Sequence, residues 1–303
     1  MTSFLADASM LYRAVDSNDL AEVKNVLCFN NLNLEDGYKD DQGNDHSPLF
    51  HALNLGNVDV IKALLDAGAS LVRPSVFVTE AQTQLITMTP LEKIMEKSVV
   101  DPEFLEAIKN IPQVTTAFSA IALSEPSGIR YSRLYDAVSQ RDYAKVAILL
   151  ALGADPNQGL IETDGSHISP LYNAVEIGPI EMVKILLEYG ADPNYGFIRP
   201  NGGRHDVPLD HAIHMCNYEA AKILIAHAAT NATLVPGGDL LQYLLDNVQD
   251  SEQLKILIDL AYQSSSSSDG YPIAGMPFVN PAIPTTTSPL YTLRQSESWL
   301  QES

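Results

Sequence analysis

Apolar residues along this chain gather in short clusters, and the clusters recur. A leucine opens each one, at Leu11, Leu49, Leu91, Leu134, Leu171, Leu209 and Leu241. Three residues later stands a second apolar residue, Ala14, Ala52, Ile94, Ala137, Ala174, Ala212 and Leu244. Sixteen residues after most of these leucines an apolar pair closes, at Leu27, Leu65, Leu150, Leu187, Ile225 and Leu257, and at the nineteenth position comes a small residue, Gly68, Gly153, Gly190 or Ala228. These offsets hold while the leucines themselves step by 38, 42, 43, 37, 38 and 32 residues. A fixed internal pattern with joints of variable length is the mark of a structural repeat.

One unit, "SPLYNAVEIGPIEMVKILLEYGADPN" (169–194), reads as helix, tight turn, helix and loop. Ser169 is placed to cap the first helix, whose first turn accepts Pro170. Gly178-Pro179 interrupts the run, and Ile180, Val183, Ile185, Leu186 and Leu187 resume it at helical spacing. Gly190 supplies the left-handed residue that ends the second helix. Small residues such as Ala174 stand where two helices must come close. No single pair buries its apolar faces alone, so neighbouring pairs are expected to stack.

The segments "SPLFHA" (47–52), "TPLEKI" (89–94), "SPLYNA" (169–174) and "VPLDHA" (207–212), with "LLDAGAS", "LLALGADPN" and "LLEYGADPN" closing three units, resemble the ankyrin repeat. That repeat carries Thr-Pro-Leu-His-x-Ala followed by a Leu-Leu-x-x-Gly-Ala-Asp ending. The resemblance covers about residues 9–262 and implies an all-α fold, a solenoid of about seven helix-turn-helix units with long finger loops. Phe50, Glu92, Tyr172 and Asp210 replace the signature histidine, and proline replaces valine in the Asp-Val-Asn ending.

Residues 1–112 are expected to hold about three repeats, the third (89–112) degenerate, and residues 132–262 about four. Between them 113–131 is an inserted linker, read either as a bridge within the array or as a hinge between two sub-arrays. Extra residues at 36–46, 70–88, 158–168 and 195–206 fall where ankyrin proteins carry their fingers. From 263 to 303 the period is lost in a Ser-, Pro- and Thr-rich run that is expected to stay disordered.

Composition narrows the partner. Lys plus Arg is 18 against 38 Asp plus Glu, a net charge of −20. Such a chain repels nucleic-acid phosphates and anionic lipid headgroups. No apolar run approaches the ~18 residues of a membrane helix, and the start lacks the basic-then-apolar order of a secretory signal. Two distant cysteines, Cys28 and Cys216, suit a reducing compartment and read as small core residues. The expectation is a soluble monomer that binds another protein.

Catalytic motifs are absent from the sequence: it has no GxSxG, GxxxxGK[ST] or HExxH. The densest polar cluster is "RHDVPLDHAIHMC" (204–216), in which His211 and His214 stand three apart, as metal ligands on one helix face can. Both also fall on the side that ankyrin proteins turn into their groove, so an enzyme or metal site around His205, His211 and His214 is weighed against partner contact and plain surface. No catalytic, metal or cofactor residue is assigned. The finger "NYGFIRPNGGRHD" (194–206) carries Tyr195, Phe197, Arg199 and Arg204, the side-chain types that most often anchor interfaces. Carried over from the family's groove positions, the expected contact set adds His205, His211, His214 and Met215, Asn173, Glu176 and Ile177, Ser139 and Gln140, and Asn54 and Leu55. The end of the chain, "TLRQSESWLQES", with Leu300 between Glu297 and Glu302, is similar to the C-terminal signals of type IVB secreted ankyrin effectors of intracellular bacteria such as Legionella. That likeness implies delivery into a host cytoplasm; an endogenous eukaryotic or protist adaptor is the alternative.

Overall fold

The computed structural model describes residues 8–29, 32–35, 37–39, 44–78, 85–119, 123–124, 128–200, 206–227 and 240–266. The chain divides into two compact units between Ser119 and Ala120, with Ala151–Gly153 grouped with the first. The division falls inside the inserted 113–131 segment.

The first unit holds three helix pairs and one further helix. They are α1 (Ala8–Asp16) with α2 (Leu20–Leu27), α3 (Pro48–Leu55) with α4 (Val58–Asp66), α5 (Pro90–Val100) with α6 (Pro102–Ile108), and α7 (Pro112–Ser119). The first helices α1, α3 and α5 lie side by side, with α7 on α5, and α2, α4 and α6 form a second row. The other unit contains α8 (Arg133–Ser139) with α9 (Tyr143–Ala151), α10 (Pro170–Ile177) with α11 (Ile180–Glu188), α12 (Pro208–His214) with α13 (Tyr218–His227), and α14 (Leu240–Asn247) with α15 (Ser251–Ser266). Here α8, α10 and α12 make one row and α11, α13 and α15 the other. Seven pairs therefore appear among the described residues, at the positions the leucine anchors mark. The last helix runs past the expected boundary at 262 through residues 263–266, since an amphipathic helix continues until its hydrogen bonds run out rather than where its packing stops.

The anchors form the core. Six of the seven leucines are buried, and so is every residue three positions on, from Ala14 to Leu244; Leu241 is half-buried. Each buried leucine contributes about 1.5–3 kcal/mol. Serine or threonine caps repeat with the period: the Ser47, Thr89, Ser132 and Ser169 hydroxyls accept from the backbone N–H three residues on, at 3.2, 3.3, 2.9 and 3.1 Å. Ser132 and Ser169 also donate, at 2.5 Å, to the carbonyls of Gln158 and Tyr195 in the following repeat. One side chain thus starts its own helix and fastens the next finger.

Seven residues after the anchor the chain turns left-handed, at Asn18 (φ 57), Gly56 (81), Arg141 (58) and Cys216 (55). Gly178 has the same position but φ −86 and ψ 154, because Pro179 pushes the residue before it into extended backbone. This turn also corrects the cysteine expectation. Cys216 occupies the exposed left-handed corner and Cys28 the C-cap of α2, and both are exposed thiols rather than core residues.

The fingers carry the strands. In the first unit β1 (Tyr38–Lys39), β2 (Asp45–His46), β3 (Ser75–Val78) and β4 (Leu85–Met88) form one antiparallel sheet in that order. In the other, β5 (Leu123–Ser124), β6 (Arg130–Tyr131), β7 (Leu160–Ile161), β8 (His167–Ile168) and β9 (Phe197–Ile198) do the same. Within each unit one finger pairs edge-on with the next, so the expected loops are joined ladders rather than free strands. Gly159 and Gly196 sit at the base of two hairpins, where a Cβ would collide with the carbonyls of Ile168 and Asp206. The tail beyond 266, Leu300 included, lies outside the described residues.

Candidate functional site

Stacking fixes which side chains meet. Numbered from the anchor leucine, position +1 of one repeat faces position +2 of the next. In the first unit Tyr12 stacks on His51, ring centroids 4.4 Å apart, with its hydroxyl 3.1 Å from Nδ1. His51 Nε2 lies 3.0 Å from Asp16, which suits an Nε2–H tautomer accepting from the tyrosine. The other unit repeats the arrangement: Tyr172 stacks on His211 at 4.3 Å, its hydroxyl 3.1 Å from Nδ1, with Glu176 3.8 Å from Nε2. Asp16 and Glu176 both stand at +5. The 39-residue spacing of Tyr12 to His51 and of Tyr172 to His211 was visible in the sequence, and only the stacking gives it meaning.

Around His211 the polar groups multiply. Asp210 is buried; the Tyr243 hydroxyl donates to its carboxylate, and His214 Nδ1 lies 3.4 Å from the same oxygen and 2.8 Å from the Asp210 carbonyl. The two histidines thus aim apart, His211 at Tyr172 and His214 at Asp210. Among the described residues no cluster of His, Cys, Asp and Glu has the geometry to hold a metal.

In the finger, Phe197 exchanges backbone hydrogen bonds with Asp206, and its ring lies 6.3 Å from Tyr172. The Arg199 guanidinium lies 5.0 Å from the Phe197 ring and donates to Asp206 at 3.2 Å. Tyr195 packs against His167 at 4.9 Å. Arg204 and His205 lie outside the described residues.

The remaining expected contacts separate by environment. Asn173 is buried and donates to Ser139 at 2.9 Å, binding one repeat to the next. Ser139, Gln140, Glu176, His214 and Met215 are exposed at the ends of α8, α10 and α12, and Ile177 is half-buried beside them. Asn54 and Leu55 end α3 in the first unit, where Lys97 donates to the Leu53 and Asn54 carbonyls at 3.2 and 3.3 Å.

Electrostatics set what this arrangement can do. Burial pushes the Tyr172 hydroxyl up to about 12, the carboxylates of Asp206, Glu176 and Asp210 add to the shift, and Arg199 opposes it. Burial likewise raises Tyr135, with Glu176 and Glu162 adding to it. Burial lowers His211 and outweighs the opposing pull of Glu176 and Asp206. Both tyrosines therefore keep their protons at neutral pH, and burial favours the neutral form of His211. Tyr135 escaped sequence reasoning because the influence of Glu162 and Glu176 on it depends on how repeats four and five stack.

Residues 134–235 match the family model for ankyrin repeats in three copies, and residues 44–74 match that of a single ankyrin repeat. With the helix pairs above, they show that the fold of these residues is that of ankyrin repeats. The family models matched describe repeats and none is of a catalytic family. Similar solved structures include an ankyrin repeat domain from Acinetobacter baumannii AYE, 20% identical over 73% of this chain and 99% of that one, with a TM-score of 0.36. Another is the ankyrin repeat domain of human ASB11, 22% identical over 82% of this chain and 96% of that one, with a TM-score of 0.35. Comparison with curated proteins gave no match. Among the described residues no helix is long and apolar enough to cross a membrane.

Proposed function

We propose that this chain is a protein-interaction module whose contact surface centres on the junction of the fifth and sixth repeats. Ankyrin repeats generally mediate protein–protein interaction. The observation that carries the placement is the exposure of Glu176, His214 and Met215 together at the ends of α10 and α12, Met215 with 55% of its surface free. Beside them Phe197, Arg199, Tyr172 and His211 form a prearranged aromatic and polar wall. Helices and ladders hold these groups before a partner arrives, so docking orders little. The test is affinity capture with purified full-length chain. Changing His214 and Met215 to Ala should weaken capture by ~1–2 kcal/mol, within the range of interface anchors, with thermal stability measured alongside because His214 contacts the buried Asp210. Unchanged capture would move the site elsewhere. Because Phe197 and Arg199 also brace the finger, their alanine changes are judged against stability as well as binding.

The finer reading is a bacterial effector acting on a host protein, supported by the Glu297–Leu300–Glu302 segment and its likeness to translocation signals. A reporter fusion lacking those residues should fold yet fail to enter host cells; normal entry would remove this reading and leave the endogenous adaptor.

A further inference from the structure

We propose that His211 is a pH-sensitive latch for the contact surface: its imidazolium draws the Glu176 carboxylate in from the exposed end of α10, so the surface presents that acid at neutral pH and withdraws it in mild acid. This rests on the protein-interaction reading above and adds how that surface is regulated.

The geometry is that of a trio left open. The Tyr172 ring stacks on the imidazole at 4.3 Å, and its hydroxyl lies 3.1 Å from Nδ1. A tyrosine that keeps its proton donates it to Nδ1, which leaves the hydrogen of the neutral ring on Nε2. That nitrogen is shut off from solvent, and among the described residues no hydrogen-bond partner reaches it. The Glu176 carboxylate stops 3.8 Å away, with its side chain 49% exposed. In the first unit the acid at the same repeat position, Asp16, has closed on His51 Nε2 at 3.0 Å. The repeat therefore accommodates the closed contact, and the second unit holds its acid just beyond it.

A neutral N–H attracts a carboxylate weakly, whereas an imidazolium forms a charge-assisted hydrogen bond with it. Protonation also puts a hydrogen on Nδ1, so the Tyr172 hydroxyl turns from donor to acceptor. The other ionisable groups around His211 are already engaged. In the finger Asp206 holds Arg199 at 3.2 Å, and on α12 Asp210 accepts from Tyr243 of α14 and lies 3.4 Å from His214. On α13, which packs against α12, Lys222 pairs with Glu219 at 2.7 Å. Glu176 is the acid left to respond. Burial favours the neutral ring, so the latch stands open at neutral pH and closes as pH falls below the ordinary 6.5.

NMR of the imidazole nitrogens and side-chain carboxyl carbons of the full chain, titrated from neutral pH into mild acid, tests this. The signals missing from His211→Gln identify the ring. In the native chain the neutral ring should carry its hydrogen on Nε2, and the Glu176 carboxyl signal should shift with the same midpoint as His211. At a fixed mildly acidic pH, Glu176→Gln should lower the protonated fraction of His211 severalfold, and Glu176→Asp, which copies the acid of the first unit, should retain the response. Asp16→Asn, in that unit, should leave His211 unmoved, and circular dichroism checks that each variant folds. A Glu176 carboxyl signal that ignores the His211 midpoint overturns the latch, and so does a Glu176→Gln chain in which His211 titrates as before. An equal effect of Asp16→Asn also overturns it, because net charge alone then explains the change. The titration needs no partner, so its outcome is separate from the capture experiment on His214 and Met215, which tests the interaction surface itself.

Discussion

In the first unit Tyr12 stacks on His51 and Asp16 holds the imidazole at 3.0 Å; in the second, Tyr172 stacks on His211 and Glu176 stands off at 3.8 Å. The register of the two trios is identical, yet the next layer differs. Position +1 of the repeat that carries His51 is Phe50, fully buried, with its ring 5.2 Å from Phe77 and 6.0 Å from His46. In the repeat that carries His211 it is Asp210, buried against Tyr243 and His214. Stacking register decides which positions meet. The residue at +1 decides whether the meeting becomes a hydrophobic plug or an electrostatic site.

The largest way to test this contrast is Phe50→Ala. It should cost about 3–5 kcal/mol, as for a deleted core aromatic, read as an early transition in urea unfolding followed by far-UV circular dichroism. A loss below ~1 kcal/mol would mean that His46 and Phe77 close over the gap and that no plug exists.

Asp210→Ala should cost less, about 1–3 kcal/mol, the penalty for leaving the Tyr243 hydroxyl buried without its acceptor. Pairing it with Tyr243→Phe should recover part of that loss. Strict additivity of the two changes would show that the buried contact carries no coupling.

Acidification offers a third, smaller contrast. Burial holds His211 below its ordinary 6.5, so the unfolded chain takes up the proton first. The contribution is complete above 6.5 and is lost as pH falls through 6.5 toward the folded value. His167 and His227 are lowered by burial in the same direction. The melting temperature of His211→Gln should therefore fall less than that of the native chain between neutral pH and mild acid. Parallel curves would remove His211 from the linkage.

The smallest effect is expected at Leu245. Position +4 is buried at Leu53, Val175 and Ile213, but Leu245 is 55% exposed, since no described repeat covers that face of α14. Leu245→Gln should shift stability by no more than about 0.5 kcal/mol, whereas a large loss would show that this face is covered in solution.

Much of the fold was legible from local chemistry. Ser169, Pro170, Gly178-Pro179 and Gly190 act within a few residues of themselves, and each stands in the structure where its own backbone preference puts it. The fingers were legible as inserts but not as ladders, because Ile161 pairs with His167 only after the hairpin closes and with Arg130 only after two repeats stack. The candidate site was half legible. His211, Glu176 and Met215 were given one side of the helices by the resemblance to the family's groove positions, while Asn173, given the same side, is buried against Ser139.

By itself, then, the sequence determined the repeat, its seven helix pairs and the caps that start them, because propensity, capping and apolar spacing are properties of a chain segment and need no neighbour. Tertiary structure alone decided that Cys216 occupies an exposed left-handed corner, that Asp210 is buried under Tyr243, and that Tyr135, Glu162 and Glu176 share one field. The last two outcomes depend on distances between side chains some 14 to 41 residues apart in sequence, and only stacked repeats set those distances.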